Sequence, residues 1–129
     1  MTAVAAAIGS ALGAVARYLL DGAIRREARR WLLSLPAGTI AVNVTGSFAL
    51  GVLAGLALFH GLDGALHTVA GTGFVGSYTT FSAFAHETID LAGRTTPSST
   101  RRAARLNLLV SVVGGLAASA LGIAVVGLV

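Results

Sequence analysis

The chain contains no cysteine and, as its letters show, no lysine or glutamine. Without thiols there are no disulfides and no thiolate metal sites. Charged residues make up only 11% of the 129 positions, against 55% hydrophobic. A soluble domain of this size needs far more polar surface. Acidic residues number five and prolines two, so there is neither an acidic tail nor a proline-rich linker.

What remains is oil, glycine and arginine. With a mean hydropathy of +0.83 and room for about four spans of roughly 20 residues each, the chain reads as a single unit, residues 1–129, of four transmembrane helices: an all-α integral membrane protein. The spans are expected at Ala3–Leu20, Leu35–Phe59, Ala65–Ala92 and Ala104–Val129. The first apolar segment lacks a basic leader region and a small-residue cleavage site, so it reads as a retained helix. Residues 21–30 read as a charged connection, 60–64 as a nearly uncharged one, and 93–102 as a polar turn stopped by Pro97, with Thr100 as a candidate cap for the last helix.

A sequence pI near 11.2 invites a nucleic-acid reading, but arginine placement argues otherwise. Arg25, Arg26, Arg29 and Arg30 follow span one, and Arg94, Arg101, Arg102 and Arg105 surround the third connection. The N-terminus, the central connection and the C-terminus carry no lysine or arginine. These arginines are topology signals. The positive-inside rule places loops 21–34 and 93–103 in the cytoplasm and both termini outside, in a multi-pass protein of the cell (plasma or inner) membrane with the lipid bilayer as its solvent and no nucleic-acid partner.

Small residues recur at four-residue spacing: Gly9 and Gly13 with Arg17, Ser47 with Gly51 and Gly55, and Ser111 with Gly115 and Ser119. Such rows let helix backbones approach closely and read as packing seams.

Polar residues inside the spans carry the functional signal. The most informative stretch is Gly71-Thr-Gly-Phe-Val-Gly-Ser-Tyr-Thr-Thr-Phe-Ser-Ala-Phe84, followed by Glu87. Glycines and clustered hydroxyls loosen a helix, and loosened backbone at membrane depth survives only when buried in protein or lining a cavity. A break in span three, around an ion or small polar solute, is the expectation. Thr39, Asn43 and Ser47 share one face of span two, and Asn107 and Ser111 repeat that pattern on span four. With hydroxyls on span three, Thr80 among them, they outline a narrow wet track. Asn43 is either an interhelical bond or a pore-lining donor. Phe81 and Phe84 lie on nearly one face, and a phenyl ring presents a positive edge. Arg17 either snorkels to the interface or makes an electropositive vestibule. Glu87 is a proton carrier, a hydrogen-bond partner or a cation ligand. A His-Glu metal site is disfavoured, because His60 and His67 belong near the opposite face from His86 and Glu87.

On these residues the chain resembles the CrcB/Fluc family of fluoride channels over essentially its whole length. The resemblance rests on Gly9-x3-Gly13-Ala14-x2-Arg17-Tyr18, on Gly38-Thr39-x3-Asn43-x2-Gly46-Ser47-Phe48-x2-Gly51, and above all on Gly73-Phe74-x-Gly76-x2-Thr79-Thr80-Phe81-Ser82-x-Phe84-x2-Glu87. It implies an antiparallel, inverted-topology dimer with two pores that conducts fluoride passively and selects it over chloride. It further implies a structural, untransported Na+ at the dimer centre, held by main-chain carbonyls at Gly76 and Thr79. By motif, Phe81 and Phe84 match the family's pore phenylalanines, Asn43 its pore asparagine and Ser111 its span-four serine. Asn107 stands where a tyrosine is common, and Ser77-Tyr78 replaces a smaller or apolar pair.

The implied function is a passive channel, not an enzyme, that lets the cell lose toxic fluoride. Two alternatives remain: a small proton-coupled four-span multidrug exporter, and a non-conducting subunit of a heterodimer. The exporter needs a central acid, yet span one has none. The one-sided arginines suit a chain that inserts one way and pairs with a homologous, oppositely oriented subunit, whereas pairing with itself needs insertion both ways.

Overall fold

The computed structural model describes residues 1–31, 35–93 and 99–129, and every regular element among them is helical. Arg94 and the turn at 94–98 lie outside the described residues, as do the side chains of Arg29, Arg30 and Thr100. Helix α1 spans Thr2–Trp31 and α2 spans Ala37–His60. The third expected span is built from pieces: α3 (Gly64–His67), a π-helical stretch (Thr68–Val75), α4 (Gly76–Tyr78) and, after an interruption at Thr79 and Thr80, α5 (Phe81–Gly93). The last helix, α6, spans Ser99–Gly127.

Among the described residues, three helices are long and apolar enough to cross a membrane: Thr2–Ala28, Ala37–His60 and Arg101–Gly127. The third expected span is present as a broken helix whose two parts, 64–78 and 81–93, are each shorter than a bilayer's thickness demands.

Two expectations are corrected. Residues 21–30 are not a connection: α1 runs through them to Trp31. Arg25 forms an i,i+4 pair with Asp21, and Arg, Glu and Ala are all good helix formers, so charge there marks a helix leaving the apolar layer. Thr100 does not precede the last helix but falls inside it, since α6 begins at Ser99.

The bundle is turned inside out relative to a soluble one. Ile8, Leu12, Val15 and Leu19 stand exposed along α1, as do Leu109, Val113, Leu116 and Leu121 on α6, while buried large apolar side chains are few: Val42, Val75, Phe84, Leu91 and Val126. Glycine brings the backbones together. A Cβ on Gly51 would overlap the Ser119 carbonyl oxygen of α6, one on Gly122 the Phe48 oxygen of α2, and one on Gly13 the Phe74 oxygen of the π-helical stretch. The expected seams are therefore real: α2 runs against α6, and α1 against the π-helical stretch. Without a hydrophobic force between helices in lipid, this close contact supplies the van der Waals and polar terms that hold them.

Candidate functional site

The site is the interruption between α4 and α5, and its local sequence explains it. Gly71 and Gly73 are buried, and a Cβ on Gly73 would come within 2.8 Å of the Ala6 carbonyl oxygen. The Gly76 amide donates back to Gly71, five residues away, as π geometry requires. Thr79 then ends the helix: its hydroxyl turns back to the Val75 carbonyl (3.1 Å), and its backbone is extended, φ −79° and ψ 160°. Thr80 starts the next one, because its hydroxyl accepts the Ala83 amide (3.3 Å), an N-cap bond. The Thr-Thr pair is thus a stop and a start.

Asn43 of α2 clamps the interruption from the side. Its Nδ2 donates to the Thr80 carbonyl (2.9 Å), while its Oδ1 accepts the Thr80 amide (2.8 Å). Gly46, one turn on, has no room for a Cβ: it would overlap Thr79 Cγ2 and lie 3.0 Å from the Tyr78 ring. Tyr78 stacks on Phe74, with centroids 6.0 Å apart, and its hydroxyl meets that of Thr45 at 2.8 Å. Ser77-Tyr78 therefore sits beside the break without closing it. A pocket of about 230 Å³ gathers Asn43, Gly46, Ser47, Leu50, Thr79, Thr80 and Phe81.

Arg17 is tied to the break. Its Nη1 donates to the Thr79 carbonyl at 3.3 Å, and it borders a second cavity of about 360 Å³ on the other side of the break. Tyr18, Asp21, Arg25, Thr39, Thr80 and Ser82 are among that cavity's other walls. Here lies the cluster that sequence reading missed. Arg25 Nε grips Asp21 (2.8 and 2.9 Å), while its Nη2 reaches Glu87 (2.6 Å) and, more loosely, Thr39 (3.4 Å). Asp21 in turn lies against Gly38, where a Cβ would overlap its carboxylate; that places negative charge at the N-terminal turn of α2. The i,i+4 spacing of Asp21 and Arg25 was a visible signal, but Glu87 is 62 positions from Arg25.

Because Arg25 unites three helices, Arg25→Ala should lower stability by about 1–2 kcal/mol by leaving the Glu87 carboxylate without a donor. Glu87→Gln, which keeps an acceptor for Arg25, should lower it by under about 1 kcal/mol, since the Arg25 end is half exposed. Thermal unfolding in detergent checks both; equal losses would argue against the ion pair as the source.

Phe81 and Phe84 touch, with centroids 5.7 Å apart and planes tilted by 55°. Phe84 is buried at 8% exposure, while Phe81 stands out at 78%. The expected stripes divide. Asn43 binds the break and Thr39 borders the larger cavity, where its hydroxyl accepts from Arg25, while Ser47 borders the smaller pocket and approaches Gly115 of α6. On α6, Asn107 is only 1% exposed and donates to the Thr88 hydroxyl (2.7 Å), whose own proton goes to the Phe84 carbonyl. Neither Asn107 nor Ser111 borders the two cavities described. Glu87 Oε2, Asn107 Oδ1 and Ser111 Oγ are buried without a hydrogen-bond partner, which marks them as polar atoms awaiting one.

The main-chain oxygens of Gly76 and Thr79, those the sequence resemblance assigns to a cation, lie at the break. Thr80's amide goes to Asn43 rather than to the Gly76 carbonyl four residues back. The Thr79 carbonyl, outside any helix, accepts from the Arg17 guanidinium at 3.3 Å, a positive charge that a cation on the same oxygen would have to oppose. Among the described residues, no group of three or more His, Asp or Glu side chains is placed to hold a metal.

The family model described as CrcB-like protein, Camphor Resistance (CrcB), matches residues 4–123. A protein named fluoride-specific ion channel FluC 1 from Leifsonia xyli is 45% identical over 128 residues, covering 99% of this chain and 85% of its own. FluC 2 from Mycobacterium bovis is 50% identical over 111 residues, 86% of this chain and 79% of its own. The fluoride-specific ion channel FluC of Methanocaldococcus jannaschii is 39% identical over 109 residues, covering 84% of this chain and 81% of its own.

Proposed function

The chain belongs to the CrcB family, and from that premise we propose that it is a fluoride-specific ion channel of the cell membrane, passive and outward-conducting. It is not an enzyme, its relatives being named as ion channels. The observation that carries the reading is the interruption at Thr79 and Thr80, clamped by Asn43 and followed at once by the Phe81–Phe84 pair.

The chemistry fits a small, strongly hydrated anion. Asn43 keeps one Nδ2 proton beyond its bond to Thr80, and the Ser111 hydroxyl is a donor with no partner. Phenyl edges offer positive charge without water. Asn107 plays a supporting part: its donor end is spent on Thr88, and the end left open is an acceptor that an anion avoids. Arg17 draws anions to the larger cavity, where the charge of Arg25 is offset by its pairs with Asp21 and Glu87. HF crosses the membrane uncharged and ionises in the cytoplasm, and the trapped anion leaves down the inside-negative potential.

The broken third span crosses the bilayer, and the functional unit is an antiparallel dimer with two pores. Phe81, exposed at 78% on the single chain, is then covered by the opposed subunit. The Gly76 and Thr79 carbonyls hold Na+ at the subunit boundary, where it would neutralise their partial negative charge without being transported. The one-sided arginines support insertion in one orientation, with residues 21–34 and 93–103 on the cytoplasmic side and both termini outside; the partner is then a homologous chain of opposite bias, and on its own this chain would be a non-conducting subunit. The multidrug-exporter reading loses ground because Glu87 is already engaged by Arg25.

The lack of native cysteine makes an orientation test direct. A single cysteine placed at Gly22, which has open space around it, should label from the cytoplasmic face only. Equal labelling from both faces means dual insertion and a homodimer.

A further inference from the structure

We infer that Arg25 is a charge-compensating positioning residue of the anion path: by holding the Glu87 carboxylate, it keeps the larger cavity open to fluoride. The inference rests on the proposed channel, and Arg25 lies outside the three motifs that carry the family resemblance.

The first support is the charge gathered around one cavity. Arg17, Asp21 and Arg25 line the space of about 360 Å³ beside the break, together with Thr80, Ser82 and Ala83 of the third span. Glu87 follows Ala83 by about one helical turn. It is joined to the cavity wall through Arg25, whose Nη2 donates to Glu87 Oε1 at 2.6 Å. Two guanidinium groups thus meet two carboxylates, and their charges cancel. Removing Arg25 leaves negative charge in excess. Low-dielectric walls focus such a field on the cavity between them, where it repels the ion that the break is proposed to pass.

The second support is that Glu87 depends on Arg25. Its side chain is 18% exposed, against 50% for Arg25, and its Oε2 is buried without a hydrogen-bond partner. On its own helix, its titratable neighbours His86 and Asp90 are both exposed. On α1, Arg26 and Glu27 are exposed, Tyr18 walls the cavity, and Arg17 donates to Thr79. From α2 comes the Thr39 hydroxyl, which accepts from Arg25; His60, the one titratable side chain of α2, sits in its last turn. Helix α6 buries Ala103, Ala104 and Asn107 and leaves Arg101, Arg102 and Arg105 exposed. Among the described residues, Arg25 is the cation bonded to Glu87. Asp21 depends on it less, because it also lies against Gly38 in the first turn of α2, where the helix dipole favours negative charge.

The test is fluoride current across planar bilayers holding the full chain, with its oppositely biased partner subunit if it needs one. Neutral HF carries no current, so leakage through the lipid does not enter. Arg25→Gln should lower the current about tenfold near neutral pH, a barrier increase of about 1.4 kcal/mol. The current should recover as the pH falls, because protonation is how a buried carboxylate sheds an uncompensated charge. Arg25→Lys keeps the charge without the fork and should lose less than Arg25→Gln. Combining Arg25→Gln with Glu87→Gln cancels the charges again, so the current should return to within about threefold of the parent, as coupled partners require. A loss in Arg25→Gln that Glu87→Gln does not restore, whatever its pH dependence, overturns the inference and leaves Arg25 a brace between helices. An Arg25→Gln current equal to the parent's at every pH overturns it too. If Arg25→Gln alone does not assemble, the double variant decides: current near the parent's upholds the inference, and absent current overturns it. A parent that passes no fluoride current, alone or with a partner subunit, fails the channel reading itself before any variant is made.

Discussion

Phe84→Ile should cut electrogenic fluoride efflux by at least about tenfold, a barrier increase near 1.4 kcal/mol, while the bundle stays assembled. Phe84 is buried and in contact with Phe81 at 5.7 Å. Isoleucine removes the ring edge, the one feature of this side chain that presents positive charge to an anion. It is also close enough in volume to keep the stability loss to about 1–2 kcal/mol. Phe81→Ile should lower flux to a similar degree at smaller structural cost, since Phe81 is 78% exposed on the single chain. Size-exclusion elution and thermal unfolding serve as controls. Full flux in both variants would refute a phenyl-lined path; lost flux with lost assembly in Phe84→Ile would shift the weight to Phe81→Ile.

Gly51→Leu should abolish assembly. Even an added Cβ overlaps the Ser119 carbonyl oxygen, with Ser119 Cα at 2.9 Å, and backbone has no rotamer by which to yield. The cost should exceed about 3 kcal/mol, above the usual range for overpacked cores, and no monodisperse protein should be recovered in detergent. The matched control is Gly22→Ala on α1, where an added Cβ meets nothing within 4 Å. There the gain in helix propensity should raise stability by about 0.5–1 kcal/mol. Indifference of the bundle to Gly51→Leu would mean that α2 and α6 do not meet as described.

Much of this architecture was legible because membrane helices announce themselves by length and by their small residues. Gly9, Gly13, Ser47, Gly51 and Gly55 could be read as seams since four-residue spacing fixes one face of a helix, and the structure sets all five at close contacts. The interruption of span three was legible for a local reason too: three glycines and two threonines weaken consecutive turns in the same stretch. Its mechanism was not legible. The π-helical stretch packs against α1 at Gly73, and the clamp on Thr80 comes from Asn43, 37 positions earlier. Nothing in the sequence says which of two plausible roles an intramembrane asparagine takes until its partner is known.

The charged run after span one misled for a physical reason. Charge density there was read as a connection, whereas α1 continues through it and delivers Arg25 to Glu87 and Thr39. That error concealed Asp21 and Arg25, which border the larger cavity beside the foreseen Arg17, Thr39 and Thr80. Asn107 was foreseen as part of a polar track, yet its donor is committed to Thr88, a pairing between two helices whose register the sequence does not encode.

The most direct measurement is fluoride release from liposomes holding this protein, alone and mixed with a homologous subunit of opposite arginine bias, followed with a fluoride electrode. The account predicts release that requires charge compensation, proceeds without a pH gradient and exceeds chloride release by orders of magnitude, in at least one of the two preparations. Release that demands a proton gradient, or no fluoride release from either preparation, would contradict it.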